Sequence, residues 1–205
     1  MQTNWILITL LSLAVVLTFY VASMSWRAHL TRQEGAAARG WRYRNSLIKS
    51  LFKSVFVMAG TSPSGVVWEV RQVRQNGRYY FHWSTHYAGL PYGLIRIIPS
   101  RAAIAQQAKP HIQLTTWHND TWNNLALNGI AILTSHQQLG ERFLTKEIAL
   151  ALMHWPEWPL SGALEEVLWI RESLDIRVRS FSDWATLDRT VALGVAFAES
   201  LIQYK

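Results

Sequence analysis

With 205 residues, the chain has room for one compact domain beside a membrane segment, and too few for a second full domain. It contains no cysteine, which excludes disulfides, thiolate zinc sites, iron–sulfur clusters and a cysteine nucleophile. The formal charge of +7 is local: residues 27–53 hold seven basic side chains and one acidic one, whereas residues 54–205 are nearly balanced at +1.

In chain order, the first element is Trp5 to Met24, twenty residues without a charge. At 1.5 Å per residue they match a hydrocarbon core about 30 Å thick, and a helix satisfies its own backbone there. Thr9, Ser12 and Thr18 are polar, but each can bond back to the preceding turn. A cleavable signal peptide is the alternative. It would need a basic n-region, which Met1 to Asn4 lacks, and a good cleavage triplet, for which Val21-Ala22-Ser23 is a weak candidate. Basic residues are retained on the cytoplasmic side of a span, and they follow this one. The expected topology is therefore a short N-terminus outside and the domain in the cytoplasm.

Arg27, Arg32, Arg39, Arg42, Arg44, Lys49 and Lys53 form the basic juxtamembrane segment, and they are the candidate contacts for anionic lipid headgroups. A charge excess confined to this stretch argues against nucleic acid as a partner. The anchor helix is expected to continue to about Gly40. Leu47, Ile48, Leu51, Phe52, Val55 and Phe56 then repeat at helical spacing opposite Lys49 and Lys53, fitting either a surface helix or a short helix packed on the core. A strand at Val55 to Ala59 follows.

Val66 to Gln75 and Arg78 to His86 are β-rich runs joined by Asn76-Gly77, the strongest short hairpin signal, because a type I′ turn needs positive φ at both central positions. Further strands are expected at Gly93 to Pro99, His111 to Thr116 and Ile130 to Thr134, and a helix from Arg142 to His154 stops before Pro156. Val167 to Arg171 and Leu174 to Arg179 read as a second hairpin, with Leu174, Ile176 and Val178 on one face. Asp183 caps a closing helix that buries Leu187, Val191, Val195, Ala198 and Leu201. The fold class is α+β: an N-terminal transmembrane helix (1–26), the basic segment (27–53), and one compact domain (54–205) of mainly antiparallel strands with packed helices.

Catalytic signatures are sparse. His82 and His86 have zinc-pair spacing for a helix, but on a strand they stand about 13 Å apart. Glu165 and Glu166 are adjacent and so diverge. The Asn119-Asp-Thr121 sequon falls on the expected cytoplasmic side. The eleven Trp residues read as core, with Trp117, Trp122, Trp155 and Trp158 as an alternative aromatic surface for a protein partner. No catalytic, cofactor or metal residue is assigned.

Ala-Arg-Gly-Trp-Arg-Tyr (38–43), Val-Trp-Glu-Val (67–70), Gly-Leu-Pro-Tyr-Gly-Leu-Ile-Arg-Ile-Ile-Pro (89–99) and Val-Ala-Leu-Gly-Val-Ala-Phe-Ala (191–198) appear in an order that resembles uncharacterised single-pass inner-membrane proteins of bacteria. The resemblance implies that membrane setting and transfers no activity. The leading expectation is a membrane-anchored, non-enzymatic interaction or accessory domain with a protein partner. The alternatives are a tethered hydrolase using His111, His118 and Asp120, and an anionic-lipid-binding protein.

Overall fold

A computed structural model describes residues 2–45, 56–86, 94–99, 115–116, 129–134, 144–153, 155, 162–170, 173–179 and 183–202. The first helix, α1 (Gln2–Ala37), extends well past the apolar run. Thr9, Ser12 and Thr18 bond back to Trp5, Ile8 and Ala14, so these three hydroxyls are satisfied within the helix. It is long and apolar enough to cross a membrane, and its apolar window is entirely exposed. The helix ends where Gly40 takes a φ of +69° and the Trp41 N–H reaches the Ala36 carbonyl at 2.9 Å. That is the glycine-dependent C-terminal cap, and the chain turns back on it.

Nine described strands follow: β1 (Arg42–Asn45), β2 (Phe56–Thr61), β3 (Val67–Gln75), β4 (Arg78–His86), β5 (Leu94–Pro99), β6 (Thr115–Thr116), β7 (Ile130–Thr134), β8 (Leu164–Ile170) and β9 (Ser173–Arg179). They form one sheet in the order β1-β2-β3-β4-β9-β8-β5-β7-β6, with every pairing antiparallel. Two helices complete the described domain, α2 (Lys146–Met153) and α3 (Trp184–Ile202). The α+β expectation holds. The β3–β4 hairpin turns at Asn76 and Gly77, both with positive φ, as a type I′ turn requires. Asp183 caps α3 by accepting the Thr186 N–H at 2.7 Å.

Alternation sorts the sheet into two faces. Trp68, Val70, Phe81, Trp83, Val167, Trp169, Leu174, Ile176 and Val178 are buried on the inner face, which α3 covers by packing on β4 and β9, with α2 beside it. Along α3, Val191, Ala198 and Leu201 are buried as expected, while Val195 is half-buried. The large rings are core residues: Trp83 and Trp169 are fully buried, and Trp155 donates its indole N–H to the Gly162 carbonyl at 2.7 Å. Trp117, Trp122 and Trp158 lie outside the described residues, as do the 47–55 part of the amphipathic pattern and most of the 111–116 strand expectation.

Strand β1 was not expected from the sequence, where Arg42-Tyr-Arg-Asn45 reads as basic segment. It forms because Trp41 and Tyr43 pack inward, against Trp68 and Phe56, while Arg42 and Arg44 stay exposed on the other side.

Candidate functional site: the anchor junction and the outer sheet face

The second half of α1 is docked on the domain along one helical face. Ala36 is fully buried, His29 Nδ1 lies 3.2 Å from the Tyr43 hydroxyl, and the Arg32 guanidinium sits 4.8 Å over the Phe56 ring. Gly35 allows the closest approach: a Cβ there would fall 2.1 Å from the Trp184 ring. Arg39 closes the junction from the far side. Its Nε and Nη2 donate to the two Asp188 oxygens at 2.6 and 2.8 Å, Nη1 donates to the Gly35 carbonyl at 3.0 Å, and the guanidinium lies 4.3 Å over Trp184. Hydrogen bonding to Asp188 raises the Arg39 pKa still further, outweighing partial desolvation. A cation stabilised in this way loses its contribution only as pH climbs through that raised value, so no ordinary alkaline pH releases the clamp.

The candidate lipid contacts therefore divide. Arg27, Arg42 and Arg44 are exposed, Arg32 is half-buried against Phe56, Arg39 is held by Asp188, and Lys49 and Lys53 lie outside the described residues. The carboxylate of this partly exposed clamp adds little on its own. Asp188→Asn is expected to cost about 0.5–1 kcal/mol in thermal unfolding. Arg39→Ala should cost about 2 kcal/mol, because it also removes the stacking on Trp184 and the bond to Gly35.

On the outer face of the sheet, register aligns charged residues across strands. His82 on β4 lies beside Arg177 on β9, and Arg177 beside Glu166 on β8. Glu166 pairs with Arg96 Nε at 2.6 Å and Arg177 Nη2 at 3.5 Å, and His82 Nε2 reaches Asp175 Oδ1 at 3.0 Å. His82, Glu166, Asp175 and Arg177, together with Val73, Tyr80 and Leu168, line a shallow depression of about 300 Å³. A His–Asp pair is two-thirds of a hydrolytic triad, so the position of the nearby hydroxyl matters. Ser173 Oγ donates to the Asp175 carboxylate at 2.7 Å, the wrong member of the pair for activating a nucleophile. The other His expectation, the His111, His118 and Asp120 loop, lies outside the described residues. Among the described residues no three His, Asp or Glu side chains group as metal ligands.

A second depression, of about 390 Å³, lies between Arg39 to Trp41, the β2–β3 turn and the Val191 to Glu199 face of α3. Ser64, on that turn, donates to Glu199. Neither depression was visible in the sequence. The outer-face ladder depends on β4 lying beside β9, residues about ninety positions apart, although the alternation of Asp175, Arg177 and Arg179 against Leu174, Ile176 and Val178 marks a polar face.

No family model matches the chain, and no curated protein matches it. Among solved structures, it is similar to the crystal structure of the mycobacterial trehalose monomycolate transport factor A, TtfA. The TM-score is 0.54 with 11% sequence identity, covering 83% of this chain and 92% of that one. At that identity the likeness establishes a shared fold over most of both chains.

Proposed function

We propose that this chain is a single-pass, non-enzymatic accessory protein of a bacterial inner membrane, with its α+β domain on the cytoplasmic face, where it holds or modulates a protein partner. The observation that carries the reading is the junction. One uninterrupted helix joins a bare apolar span to the folded domain and is packed against that domain through His29, Arg32, Gly35 and Ala36. A flexible tether would only localise a domain, whereas a docked helix also fixes which surfaces face the membrane and a membrane-embedded partner. The fold shared with a protein described as a transport factor supports an accessory role of this kind. Arg27, Arg42 and Arg44, exposed around the junction, are the proposed contacts with anionic headgroups.

The test is retention of partners. The full-length protein, purified in mild detergent from its native membrane, is expected to bring down a stoichiometric membrane partner that the anchor alone does not. A monomeric preparation that turns over a substrate would overturn the proposal.

A further inference from the structure

The direction of the strands sets one end of the sheet toward the membrane. Trp41 is bonded beside Ala36 and Tyr43 beside His29, so β1 runs back along α1 toward the apolar span. β3 runs the same way, being two antiparallel steps from β1, and its hairpin with β4 therefore points at the membrane side.

Its reach can be measured against the helix. Phe56, the first residue of β2, is level with Arg32, which lies over its ring. The β2–β3 register ends at Val57 with Arg71, and the hairpin runs on beyond it from Gln72 to Asn76, with β9 still paired to β4 as far as Tyr80. Four extended residues add about 13 Å. On α1, the eight residues from Arg32 back to Met24 span about 12 Å. The hairpin tip thus reaches at least the height of Met24, where the apolar run ends.

The chemistry of the tip suits that place. From Val70 to Ser84 the chain carries Arg71, Arg74 and Arg78 and no acid. Arg71 pairs with Glu69, whereas Arg74 and Arg78 are exposed and have no carboxylate partner among the described residues. Arg74 lies 5.6 Å from the Tyr79 ring, presenting an aromatic beside two cations, the combination found at membrane interfaces. Topology does not account for these charges, because basic residues orient a span only within about 15–20 residues of its end, and the tip is some fifty residues away.

We infer that the β3–β4 hairpin tip is a second membrane contact, in which Arg74, Arg78 and Tyr79 engage the anionic headgroups of the leaflet from which α1 emerges. This rests on the proposed membrane anchoring of α1. With two attachments, the domain is held at a fixed tilt.

The chain lacks cysteine, so a single label is easily placed. Gln75→Cys at the tip and Pro63→Cys at the opposite turn, each carrying a fluorophore, are reconstituted at full length into vesicles containing phosphatidylglycerol and a headgroup quencher. Quenching is expected at position 75 and not at 63. R74Q/R78Q should lower it at least about threefold, and high salt should do the same. R74K/R78K should retain it, and melting temperatures should not change. Equal quenching at 75 and 63, or indifference to charge and salt, would overturn the inference while leaving the anchor in place. Release of the protein from the vesicles by alkaline carbonate would instead overturn the anchor reading and this inference with it.

Discussion

Trp83→Ala is expected to destabilise the domain by about 3–5 kcal/mol, the range for removing a large aromatic from a packed core. In a domain of this size each kcal/mol moves the melting temperature by about 2–4 °C, so full-length protein in detergent should melt roughly 6–20 °C lower. Trp83 is fully buried on β4 under α3, and Gly194 is the point of contact: a Cβ there would lie 2.4 Å from the indole. The absence of a side chain at 194 is what lets the helix close on the sheet. Gly194→Leu alone should therefore cost about 1–3 kcal/mol by overpacking. The two substitutions should not add. With Trp83 reduced to alanine, a leucine at 194 enters the vacated space, and the double variant should be more stable than the sum of the singles predicts. Strict additivity would show that the two residues do not share one packing site.

Two arginines in the anchor should have an equally large effect that leaves the fold untouched. Each arginine at the centre of a membrane helix costs about 2.5–3.5 kcal/mol on insertion scales, and each replaced leucine forfeits about 0.5 more. Leu13→Arg with Leu17→Arg should thus move the protein from the membrane to the soluble fraction. Both leucines are more than half exposed and touch nothing in the domain core. The released protein should keep its near-ultraviolet circular dichroism. If the variant stayed in carbonate-washed membranes, hydrophobic insertion of α1 would not be what holds the protein there.

These two outcomes separate what the sequence made plain from what it concealed. Local signals were readable. The uncharged run set the apolar part of α1, Asn76-Gly77 set the hairpin, the alternation of Leu174, Ile176 and Val178 set β9, and Asp183 marked the start of α3. Long-range pairing was not readable, because no local rule places β4 beside β9 or β8 beside β5. Strand β1 was masked by its charges: Arg42 and Arg44 raise the polarity of a segment whose inward residues, Trp41 and Tyr43, were nonetheless at period two.

The candidate site suffered most. Arg39 looked like one more juxtamembrane cation until folding brought Asp188, 149 residues later, into its fork. Nothing local sets Gly35 and Gly194 apart, and only folding places Trp184 and Trp83 against them. The tip arginines were read only as strand residues, and their place relative to the anchor follows from register, which composition does not encode.

In the proposed arrangement α1 holds the domain on the cytoplasmic side of the membrane. Its most direct test uses the cysteine-free chain with single cysteines at Gln2 and at Pro63, labelled in intact cells with a membrane-impermeant maleimide. Position 2 is expected to label at once, and position 63 only after the inner membrane is permeabilised. Labelling of position 63 in intact cells would place the domain on the opposite side and contradict it.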